Sequence, residues 1–124
     1  MRAAERAAQI WPVLAWAAHN RQVLTYEILG RLIGVPRQGL AKLLDPIQSY
    51  CLRNRLEPLT ILVVRQDTGM PGVGFVAAQD IPATQARVFA YDWVKHGCPS
   101  VDEFERSVSD LPSNGIASAA NAAE

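Results

Sequence analysis

An α+β fold that is mainly helical is what the sequence predicts. Three observations carry this: apolar residues recur at helical spacing in several stretches, one β-branched run stands among them, and glycine and proline mark the joints. The chain has 124 residues, 49% of them apolar and 19% charged, which is enough for one hydrophobic core and too few for two domains of ordinary size. The expected organisation is a single domain over residues 1–111, with a compact core at 23–76 and a helical part at 82–110, followed by a flexible tail at 112–124.

From Arg2 to about Asn20, Ile10, Leu14 and Ala17 or Ala18 share a helical face, with Trp11 beside them. Pro12 is expected to kink this helix or to mark its true first turn. Thr25 is a natural N-cap for a short helix from Tyr26 to about Ile33, with Ile28, Leu29 and Leu32 pointing inward. Gly34 ends it, and Val35-Pro36 turns the chain. Leu40, Leu43, Leu44, Ile47 and Leu52 then describe a longer helix from about Pro36 to Arg53, with Asp45-Pro46 as a point of interruption.

After the polar connector Asn54-Arg55-Leu56-Glu57-Pro58, the run Leu59-Thr60-Ile61-Leu62-Val63-Val64-Arg65 reads as a buried strand. Asp67-Thr68-Gly69-Met70-Pro71-Gly72 supplies turn chemistry, and Val73-Gly74-Phe75-Val76 is expected to return as a second strand of a β-hairpin. A helix from about Ala83 to Lys95 follows, closed by His96-Gly97. Ser100-Val101-Asp102-Glu103 has the form of a capping box opening a last short helix to about Val108, so two C-terminal helices are expected. Trp11, Trp16 and Trp93 all lie on expected apolar faces and are assigned to the core.

Helix, tight glycine-proline turn, longer helix, strand and glycine-rich hairpin is the order of a winged helix-turn-helix. The stretch from Val23 through Thr25-Tyr26 to Gly34-Val35-Pro36 resembles, without a gap, the Thr-Tyr motif, short helix and Gly-x-Pro turn of the C-terminal DNA-binding domain of the alkylguanine-DNA alkyltransferases and their alkyltransferase-like relatives. The similarity covers at most residues 23 to about 75. It implies that Tyr26 inherits the tyrosine that crowds the target nucleotide's backbone. The family's intercalating arginine falls in register with Leu40, and Arg37 is an approximate substitute one turn earlier. Where the alkyltransferases carry Pro-Cys-His-Arg, this chain reads Pro58-Leu59-Thr60-Ile61, so the nucleophile and its activating histidine are missing. The resemblance therefore implies a scaffold without damaged-base chemistry.

Net charge is zero, yet residues 1–65 hold nine basic and four acidic side chains, a balance of +5, and the remainder carries −5. On this basis Arg31, Arg37, Lys42 and Arg65 are candidate phosphate contacts, and Tyr26 and Gln38 candidate base or sugar contacts. Duplex DNA is the first candidate partner; a protein partner or a homodimer on the same scaffold is the alternative, favoured by the near-neutral total. No Ser-His-Asp set, paired-carboxylate motif or Walker lysine is present, so the expectation is a non-enzymatic protein without cofactors. His96 and Cys98 beside Asp92 fall short of a metal-ligand set. Cys51 and Cys98 are expected as reduced thiols. No apolar run approaches the roughly 18 residues of a membrane span, and the N-terminus lacks a small-residue cleavage site, so a cytoplasmic location is expected.

Overall fold

The computed structural model describes residues 1–72, 75 and 78–109. It is mainly helical with a minimal sheet: α1 (Ala3–His19), β1 (Leu24–Thr25), α2 (Tyr26–Ile33), α3 (Leu40–Arg53), β2 (Val63–Val64), α4 (Ile81–Ala90), α5 (Trp93–His96) and α6 (Val101–Ser109). Short 3₁₀ turns at Arg37–Gly39 and Leu59–Leu62 lead into α3 and β2.

α1 is the central element, packed against α3, α6, α5 and the Leu59–Leu62 turn. Its face of Ala7, Ile10, Trp11, Leu14 and Ala18 is almost fully buried. Pro12, on the exposed side, does not end the helix. The missing amide leaves the Ala8 carbonyl without its helical donor, and the Cys98 thiol approaches that oxygen at 3.8 Å. Trp11 is the hub of an aromatic cluster, edge-on to Tyr50 at 5.4 Å and to Trp93 at 5.6 Å, with Phe104 at 5.9 Å. Burial of each such ring contributes about 1.5–3 kcal/mol, so the cluster is what holds α3, α5 and α6 on α1. Trp16 is a correction to the sequence reading: it is 61% exposed and stacks on His19. Positions 12, 16 and 19 form the outward stripe of the same helix.

The caps of α2 form as the sequence predicts. Thr25 Oγ1 accepts from the Ile28 amide at 3.1 Å, and Gly34 closes the helix with φ of 73°. Leu29 is fully buried, but Ile28 and Leu32 are 46% and 61% exposed rather than inward. They sit four residues apart on the flank next to Leu29 and Ile33, about 100° round the helix, and an eight-residue helix against one core buries only one face. The Arg6 guanidinium donates to the Ile33 carbonyl at 2.9 Å and pins the end of α2 to α1. α3 runs through Asp45-Pro46 without interruption.

The expected strand over residues 59–65 is reduced. Leu59–Leu62 is a buried 3₁₀ turn, and only Val63–Val64 is strand. It pairs in parallel with β1, with Leu24 opposite Val63 and Thr25 opposite Val64. Among the described residues of the expected hairpin, Val64 and Pro71 form an antiparallel bridge, and the Arg65 amide donates to the Met70 carbonyl at 2.8 Å. Of the expected second strand, Val73, Gly74 and Val76 lie outside the described residues, as does the whole of the expected tail.

The single helix expected from Ala83 to Lys95 is instead two, because Tyr91 is extended and Asp92 caps a new turn by accepting from the Lys95 amide at 3.0 Å. This brings the C-terminal helices to three among the described residues. The Ser100-Glu103 capping box forms reciprocally, with amide-to-side-chain distances of 3.1 and 3.3 Å.

Candidate nucleic-acid interface

α2 and α3 meet across a tight joint, and glycine makes it tight. A Cβ on Gly30 would stand 2.5 Å from the Val35 carbonyl oxygen, so the turn after α2 lies directly on the helix that precedes it. The joint sets where Arg37 and Gln38 emerge, and both are exposed in the 3₁₀ turn ahead of α3.

Tyr26, the first residue of α2, is half-buried with its ring against Gly72, where any Cβ would collide with the phenol oxygen. Burial pushes the phenol above its ordinary value; a hydrogen bond with the Gly72 backbone and the positive charges of Arg37 and Arg65 oppose that. Tyr26, Arg37 and Arg65 therefore share one neighbourhood, formed by the start of α2, the turn before α3 and the loop after β2.

Both arginines in it are already partnered. Arg37 Nε lies 3.1 Å from Glu27 Oε2, and Arg65 forks onto Asp67 with Nε–Oδ1 of 3.1 Å and Nη2–Oδ2 of 2.9 Å. The Arg65 guanidinium holds the Asp67 carboxyl below the usual range. The Arg65–Asp67 pair is largely exposed, so it contributes little to stability and is exchangeable for another anion, whereas Glu27 beside Arg37 is partly buried.

The remaining candidates are not gathered in the same way. Arg31 is exposed in the last turn of α2, and Lys42 in the first turn of α3, neither forming an ion pair with a described residue. Lys42 borders a separate apolar groove of about 550 Å³ between α1, α3 and α6, with Arg2, Pro46, Phe104 and Val108 among its walls. Sequence reasoning missed Glu27 and Asp67 as counter-ions and Gly30 and Gly72 as close-approach positions. The Arg65-x-Asp67 spacing was the one legible signal among them.

Behind Tyr26, a cavity of about 20 Å³ is lined by Ala41, Leu44, Asp45, Gln48, Thr60 and Phe75. Burial pushes the Asp45 carboxyl above its ordinary value. Thr60 is 4% exposed, and its hydroxyl has no hydrogen-bond partner among the described residues. Leu40 and Leu59 are fully buried in the core. Cys51 is buried, and its thiol is pushed up to about 12 by desolvation, which leaves it without nucleophilic character at neutral pH. His96 bridges two tyrosines, with Nε2 3.0 Å from Tyr50 Oη and Nδ1 3.1 Å from Tyr91 Oη. Among the described residues there is no cluster of three or more metal-ligating side chains, and no helix is long and apolar enough to cross a membrane.

No family model, no curated protein and no solved structure matches this chain.

Proposed function

We propose that the chain is a non-catalytic duplex-DNA-binding protein of winged helix-turn-helix type, with α2 and α3 as the helix pair, the exposed turn at Arg37–Gly39 leading the recognition helix, and the loop after β2 as the wing. The observation that carries this reading is that Tyr26 packs on Gly72 in the loop after β2 with Arg37 and Arg65 near enough for their charges to act on its phenol. That neighbourhood joins the candidate recognition helix to the candidate wing, and its two guanidiniums, of which Arg65 is paired with the exposed Asp67, supply the charge and donors that a phosphate needs. Arg31, Gln38 and Lys42 extend the surface. The alkyltransferase-like resemblance belongs to the same proposal, confined to scaffold. A buried leucine at position 40 leaves nothing to take the place of an extruded base, and a cavity of about 20 Å³ accepts a water molecule rather than a nucleobase. The protein thus reads duplex without opening it.

Fluorescence anisotropy with a labelled duplex over a salt series tests the proposal. Arg37→Ala combined with Arg65→Ala is expected to weaken binding and to reduce the slope of log K against log salt by about 1.8, roughly 0.9 for each phosphate that is no longer neutralised. Absence of any binding at low salt, or an unchanged slope in the double variant, would overturn it.

One observation favours a second reading. Ile28 and Leu32 lie exposed on the outer face of α2, beside Arg31. An apolar pair there suits a protein partner or a second copy better than a phosphate backbone. A mass that rises with concentration in light scattering, and that Leu32→Glu abolishes, would favour this alternative.

A further inference from the structure

We propose that the cavity behind Tyr26 is a binding site for one water molecule, which joins the buried Thr60 hydroxyl to the polar side chains on the inner face of α3. The inference is independent of what the outer surface binds. Thr60 belongs to the 3₁₀ turn that feeds β2, and only 4% of it remains open to solvent. A hydroxyl in that position without a partner costs about 1–3 kcal/mol, and the Thr60 hydroxyl finds none among the described residues.

Size and lining then select the ligand. A cavity needs at least about 10–15 Å³ to hold a water, together with two to four polar partners. This one offers about 20 Å³, and among the described residues that line it Tyr26, Asp45, Gln48 and Thr60 carry polar side chains. The volume matches one water and excludes any organic ligand. Asp45 and Gln48 lie one turn apart on α3, so a water between them and Thr60 spans two elements distant in sequence. The water fixes the spacing between α3 and the turn ahead of β2, with Tyr26 and Phe75 as its other walls.

The test uses the full chain in three forms: wild type, Thr60→Ser and Thr60→Val. Crystallography of the wild type is expected to show one solvent peak within about 3.2 Å of Thr60 Oγ1, also within hydrogen-bond reach of Asp45 or Gln48. The Ser variant retains the peak, and a long-lived water cross-peak to residue 60 in nuclear Overhauser spectra; the Val variant loses both. Because valine has the shape of threonine, stability gives a second readout that does not depend on crystals. A water-satisfied hydroxyl predicts a folding equilibrium constant about fivefold lower in Thr60→Val, from a hydrogen bond worth about 1 kcal/mol. A Thr60→Val variant more stable than wild type would show the hydroxyl to be unsatisfied and overturn the proposal. A dry cavity would overturn it too, as would a Thr60 hydroxyl donating to a backbone carbonyl, or a peak with metal-like contacts that follows sodium concentration.

Discussion

Gly30→Ala isolates the joint on which the candidate interface depends. The added methyl would meet the Val35 carbonyl oxygen at 2.5 Å, with Leu40 Cδ1 at 3.6 Å and the Arg37 amide at 3.7 Å. The first contact is prohibitive, and the obstructing atom is backbone, so no rotamer change relieves it. Alanine gains about 1 kcal/mol over glycine in a helix interior, while forcing a methylene into a packed site costs about 1–3 kcal/mol. Because the turn itself must move, the upper part of that range applies, and the net expectation is a loss of about 1–2 kcal/mol. In urea, with a slope of about 2 kcal/mol/M for a domain of this size, the midpoint should fall by about 0.5–1 M without a change of slope. Gly34→Ala is the informative comparison. It has open space around its Cβ but a φ of 73°, so its cost of about 1 kcal/mol is conformational and leaves the joint intact. If Gly30→Ala proved as stable as wild type, the close crossing of α2 by its own turn would be refuted.

Other perturbations have equally definite outcomes. Arg21 and Arg55 occupy left-handed conformations, with φ of 55° and 56°, just beyond the ends of α1 and α3; Arg55→Gly is expected to raise the thermal midpoint through a gain of up to about 1 kcal/mol, and a lowered midpoint would show that the side chain contributes more than the backbone strain it causes. Asp45 has a folded-state pKa raised by burial above the ordinary value of 3.8, so the folded protein binds that proton more tightly than the unfolded chain; its favourable contribution is complete below the unfolded value and is lost as pH rises through the folded one. Asp45→Asn should therefore show its largest relative gain in stability at neutral pH and none in acid, read from urea midpoints across pH; a pH-independent difference would refute the burial argument. A thiol-reactive chromophore should label Cys98 in the native protein and Cys51 only on unfolding, because Cys51 is 1% exposed and Cys98 is open to solvent. Equal rates at the two positions would contradict that packing.

The most legible elements are those whose determinants lie within one turn of chain. Thr25 caps α2, Gly34 closes it, and Ser100 and Glu103 open α6 as a reciprocal pair, because each contact spans three or four residues and needs no other part of the fold. Pro46 and Pro12 were less legible. Whether a proline breaks a helix depends on whether packing elsewhere outweighs the missing hydrogen bond, and both helices here continue through it. Of the candidate surface, Tyr26, Arg37 and Arg65 come together from well-separated parts of the chain, while Lys42 turns to another groove. Their carboxylate partners lie at spacings that periodicity does not report.

By itself the sequence determined a mainly helical α+β chain, the order of its helices and the residues that start and stop most of them, since capping and amphipathic spacing are local. Only the tertiary structure decided that Val63–Val64 pairs in parallel with Leu24–Thr25. It also decided that Ile28, Leu32 and Trp16 stay outside the core and that a small cavity opens behind Tyr26. Strand pairing and the choice of inner face are settled by what competes for a single hydrophobic core, and that competition involves segments far apart in the chain.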